Sequence, residues 1–182
     1  SGITMITSEF SVDTWLYYYM IPEAEFNPSS PFNGSYVGCV NNSSESITFD
    51  ATRYKEGNYC MVAYTYCEDG TGNYREIISD PVHLYVQYPQ HLSPEIVVSG
   101  NTTVRLWNGF WMYVEALHAD DVTISGLPQG AYFYTYPGYG GEDVIYGYIS
   151  YYVDKVEDFD ITITATRGGE TTEEIVHVSV TN

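Results

Sequence analysis

A chain of 182 residues with six Lys plus Arg against 24 Asp plus Glu carries a formal charge of -18. That field repels phosphate backbones and anionic head groups, so no nucleic acid is expected as a partner. No run reaches the roughly 18 apolar residues of a membrane span, so no membrane insertion is expected of this segment.

The opening SGITMITSEF has no Met, no basic region and no apolar stretch, and reads as the start of a mature or excised piece of a longer protein. Residues 11–24, SVDTWLYYYMIPEA, return as residues 103–116, TVRLWNGFWMYVEA, at an offset of 92 that sets Trp15 on Trp107, Met20 on Met112 and Glu23 on Glu115. The segment DPVHLYV at 80–86 returns as EIVHVSV at 174–180 at an offset of 94. Recurrence at a nearly fixed spacing predicts a duplication, with Trp15 and Trp107 as core anchors of the two copies. Sequons stand at Asn33, Asn41, Asn42 and Asn101, and the odd set Cys39, Cys60 and Cys67 leaves at least one thiol without a partner in the chain.

Apolar and polar residues alternate in short runs separated by Gly, Pro, Asn and Asp, the pattern of antiparallel sheets with one wet face. YCMVAYTY and IISDPVHLYV read as strands around CEDGTGN, and DFDITITATR and TEEIVHVSV as strands around RGGE. Each copy is therefore expected to close on a hairpin with glycine in its turn. Between the copies, Pro89 and Pro94 stiffen QYPQHLSPE, which predicts one domain at 1–88, a linker at 89–93 and a second domain at 94–182.

YKEGNYCMVAYTY, a turn and SDPVHLYV resemble the F and G strands of immunoglobulin-like domains, whose F strand is entered through D-x-G-x-Y-x-C. Gly57 and Tyr59 match that pattern, while Lys55 stands at its acidic position and Met61 at its cysteine. The resemblance implies a tyrosine corner at Tyr59 and an all-β chain of two tandem immunoglobulin-like antiparallel β-sandwiches. It is closest in kind to the divergent modules strung along bacterial surface proteins and phage virion proteins. It further implies a non-catalytic spacer or adhesion module, extracellular or at the cell surface.

The chemistry-bearing motifs agree with that expectation. No G-x-S-x-G, HExxH, P-loop or dinucleotide fingerprint occurs, so no enzyme is expected. The densest tyrosine run, residues 130–155, offers Tyr134, Tyr136, Tyr139, Tyr146 and Tyr148 as a recognition patch, with Glu142 and Asp143 hydrogen-bonding a polar ligand at a loop tip. A protein or a glycan on a surface would be its partner, which leaves a carbohydrate-binding module as one alternative. Self-assembly as a structural subunit of a filament or virion is another. No cofactor is expected, except that calcium suits the composition because it takes oxygen ligands. Its candidate ligands are Asp120 and Asp121 in one run and Asp154, Asp158 and Asp160 in another.

Overall fold

Strands follow the alternation closely. The computed structural model describes residues 3–6, 15–30, 33–41, 46–68, 70–88 and 90–182. The chain divides into two units, one of Ser1–Pro89 with Tyr139–Glu142 and one of Gln90–Gly138 with Asp143–Asn182. Among the described residues helix is confined to short 3-10 turns, such as Glu23–Glu25 and Ala51–Arg53, and no helix is long and apolar enough to cross a membrane.

The first unit contains β1 (Ile3–Ile6), β2 (Leu16–Pro22), β3 (Ser35–Val40), β4 (Ser46–Phe49), β5 (Gly57–Glu68), β6 (Tyr74–Ile78) and β7 (Val82–Val86). β1 pairs with β4, and the larger sheet runs β3-β2-β5-β6, with β7 also on β5. The strand expected over 77–86 is thus broken. β6 pairs with the far half of β5 and β7 with its near half, and Ser79, Asp80 and Pro81 interrupt them. Proline brings no N–H to a ladder, which explains the break. Leu16, Tyr18 and Met20 of β2 and Tyr59 and Met61 of β5 enter a core shared with Val40, Ile47 and Phe49.

The implied tyrosine corner is present. The Tyr59 hydroxyl donates to the Lys55 carbonyl at 2.8 Å and lies 3.1 Å from the carbonyl of Gly141, one of the residues 139–142 that belong to this unit. Tyr59→Phe is expected to cost about 1–2 kcal/mol in urea unfolding, because the part-buried hydrogen bonds of a buried tyrosine are lost. A loss within a few tenths of wild type would show that the hydroxyl holds nothing.

The second unit contains β8 (Glu95–Gly100), β9 (Thr103–Arg105), β10 (Gly109–Leu117), β11 (Asp121–Ser125), β12 (Tyr132–Pro137), β13 (Val144–Tyr152), β14 (Phe159–Arg167) and β15 (Glu170–Thr181). Its sheets are β12-β13-β10-β8 and β11-β14-β15-β9, antiparallel except for the parallel pair β15 and β9. Two such sheets around one core of Phe110, Met112, Val114, Ile149, Ile161, Ile163 and Val178 make an immunoglobulin-like sandwich.

Two expectations from the repeated phrase are corrected. Trp15 and Trp107 are not core anchors, being 50% and 60% exposed. The phrase also occupies different places. In the first unit it forms β2, directly beside β5, which starts the closing hairpin. In the second, Thr103–Arg105 forms β9 beside β15, and the part that aligns with β2 forms β10, in the sheet that does not contain the hairpin β14–β15. Only the closing match keeps its place, since β7 and the end of β15 each pair with the hairpin's first strand. Cys39, Cys60 and Cys67 are all free thiols.

Candidate functional site

Strand parity in the second unit sends Phe110, Met112 and Val114 of β10 inward and Trp111 and Tyr113 outward. Register then fixes their neighbours. Tyr113 lies opposite Tyr148 of β13, Tyr148 opposite Tyr134 of β12, and Tyr146 opposite Tyr136, while Ser150 lies between Trp111 and Tyr132. One face of the sheet therefore collects Trp111, Tyr113, Tyr132, Tyr134, Tyr136, Tyr146, Tyr148 and Tyr152.

The rings touch in series. Tyr136 and Tyr146 stack at 5.4 Å and 24°. Tyr134 meets Tyr136 at 6.2 Å and Tyr148 at 5.6 Å. Tyr113 joins Tyr148 at 5.0 Å and Trp111 at 5.5 Å. Such pairs add about 0.5–1.5 kcal/mol each beyond their buried area, which holds the rings in place without a ligand. Where the series opens, Trp111, Tyr132, Tyr148 and Tyr152 border a shallow cleft of about 380 Å³. Gly147 faces inward between two outward tyrosines, and a Cβ there would meet Phe133 at 3.1 Å and Val114 at 3.2 Å.

Of the patch expected from sequence, Tyr134, Tyr136, Tyr146 and Tyr148 come together on this face. Tyr139, Glu142 and Asp143 do not. Tyr139 and Glu142 belong to the first unit, where Glu142 accepts from the Ser35 hydroxyl at 2.7 Å and from the Tyr139 amide at 3.2 Å. Asp143, expected to meet a ligand at a loop tip, is instead 4% exposed and gripped by Arg167 at 2.6 and 2.9 Å, with His118 Nδ1 at 3.1 Å. Burial pushes its carboxyl up, but the Arg167 and His118 contacts outweigh it and hold the group below the ordinary range. Trp111, Tyr113, Tyr132 and Tyr152 went unassigned in the sequence, although the alternation around Met112 marks Trp111 and Tyr113 as outward.

Of the acids expected to bind calcium, four are engaged by protein donors. Asp120 lies 3.6 Å from Arg167, and Asp121 opens β11. Asp154 accepts from the Tyr151 hydroxyl at 2.7 Å, Asp158 from the Val180 amide at 2.7 Å, and Asp160 pairs with His177 at 2.7 Å. Among the described residues these acids bring no three donor atoms within 4.8 Å of one another, whereas calcium takes about 6–8 oxygens.

No family model matches the chain, and no curated protein matches it. Among solved structures it is similar to Dpr2 Ig1-Ig2, crystallised in complex with DIP-Theta Ig1-Ig3, at 14% identity and a TM-score of 0.40 over 99% of this chain and 58% of that one. It is also similar to domains 4 and 5 of the S-layer protein SbsC, at 13% identity and 0.37 over 70% of this chain and 66% of that one. A marsupial T cell receptor matches at 13% identity and 0.30 over 96% of this chain and 57% of the receptor chain. The chain spans less than two thirds of each of these chains.

Proposed function

We propose that this chain is a non-catalytic adhesion module of a larger extracellular surface protein, and that the aromatic face of β12-β13-β10-β8 is where it binds. The observation that supports this reading is the density of rings on one face of a strongly acidic molecule. A contiguous apolar face left in water is costly for solubility and marks an interaction site. Rings that stand on the sheet and lean on one another present edges and hydroxyls outward, which suits a protein surface, where tyrosine and tryptophan dominate the energetics. The cleft beside Trp111 and Tyr132 favours a second reading, a neutral glycan lying against open ring faces.

Binding of labelled chain to cells tests both. Loss after protease treatment of the cells supports a protein ligand, and loss after glycosidase treatment supports a glycan. Tyr148→Ala, at the centre of the ring series, is expected to cost about 2 kcal/mol of affinity or more, near thirtyfold. Ile175→Ala, exposed on β15 in the other sheet, is expected to bind as wild type. Equal binding by Tyr148→Ala, Trp111→Ala and wild type would sink the assignment of this face. A chain that binds neither kind of surface would be a spacer.

A further inference from the structure

Away from the aromatic face, three metal-ligating side chains from separate elements converge in the first unit. Ile21 of β2 lies opposite Cys60 of β5, and Cys60 lies opposite His83 of β7. Immediately after β2 the chain turns through Glu23–Glu25 and brings the Glu23 carboxylate to 2.9 Å from His83 Nδ1. The same Nδ1 lies 3.7 Å from Cys60 Sγ. All three donor atoms fall within 4.8 Å of one another.

We propose that Glu23, Cys60 and His83 form a zinc-type site for a divalent transition-metal ion. Zinc bonds to imidazole nitrogen at about 2.0–2.1 Å and to thiolate sulfur at about 2.3 Å, so these two donors stand about 3.6 Å apart in a tetrahedron. The nitrogen and sulfur here already have that spacing. In the same tetrahedron the carboxylate oxygen would stand about 3.4 Å from the nitrogen, against 2.9 Å here.

The donor set also selects the ion. A soft thiolate beside an imidazole favours zinc or cobalt over calcium and magnesium, which take oxygen ligands. Cys60 is fully buried, whereas Glu23 and His83 are exposed above it, so an ion reaches the sulfur from solvent between them. Three protein ligands leave the fourth position for water or for a donor from another molecule. A bound ion would clip the Glu23–Glu25 turn to β5 and β7, coupling metal occupancy to the stability of this unit.

Cobalt(II) titration of the intact, reduced chain tests the site. A sulfur-to-cobalt charge-transfer band in the near ultraviolet is expected to saturate at one ion per chain and to vanish on adding zinc. It is expected to persist in Cys39→Ser and Cys67→Ser and to be absent in Cys60→Ser. Because Cys60 is buried and its replacement can disturb folding, Glu23→Gln and His83→Gln serve as the second measurement. Each is expected to leave the metal-free melting temperature unchanged and to weaken cobalt binding by about tenfold or more. Absence of the band in wild type, its survival in a folded Cys60→Ser chain, or unchanged affinity in both exposed variants would overturn the proposal.

Discussion

Asp143→Ala is expected to destabilise the second unit by about 3–5 kcal/mol, the usual cost of removing one partner from a buried charged group of this kind. The substitution strips Arg167 of both short contacts and takes the carboxylate from beside His118, itself 5% exposed. Arg167 retains some access to water, which places the loss toward the lower end of that range. The pH dependence follows from the depressed carboxyl. Its stabilising contribution is complete above the unfolded value near pH 4 and is lost as pH falls through the lower folded value. Protonating the remaining acids relieves self-repulsion in the same window, so wild type is best compared with Asp143→Asn. Chemical unfolding from pH 2 to 7 should show the wild-type advantage shrinking below about pH 4. A constant difference across that range would mean that the carboxylate charge does not stabilise the fold.

Gly126→Ala is expected to cost about 3 kcal/mol or more, for two separable reasons. Gly126 has φ +79, and an added Cβ would fall on the Asp160 carbonyl oxygen of β14. Gly130 provides the comparison, with φ +90 and nothing within 4 Å of an added Cβ. Gly130→Ala should therefore carry only the conformational penalty, about 1 kcal/mol. The difference in unfolding free energy between the variants measures the collision, and equal losses would rule it out.

Much of the architecture was legible because period-two alternation survives tertiary packing. β10, β13, β14 and β15 all lie in stretches rich in alternating apolar residues, and the hairpin at Arg167–Glu170 follows from its paired glycines. The tryptophans misled because size was weighed above parity. With Met20 and Met112 inside, the alternation already sends Trp111, and Trp15 just before β2, outward, whereas Trp107 lies in the turn between β9 and β10 at φ 64, where parity does not reach. The shared phrase misled for a related reason. An aromatic-rich run with methionine inside suits a central strand of either sheet, so likeness in sequence did not fix topology. Asp143 with Arg167, and Glu23 with Cys60 and His83, were invisible because their partners lie far apart in sequence and meet only through register.

The way the chain enters the second unit has a mechanical consequence. After β8 it passes Gly100 and joins the opposite sheet as β9, parallel to the terminal strand β15, with Ser179 donating to the Thr102 carbonyl and Leu106 to that of Thr181. Tension between residues 94 and 182 would pull these two parallel strands past each other. Their hydrogen bonds would then bear load together in shear, instead of opening one at a time as in a hairpin unzipped from its end. The forced lifetime of such a unit is set by its unfolding barrier more than by its equilibrium stability. A module pulled in this way would bear load through β9 and β15, which lie in the sheet opposite the face proposed to bind.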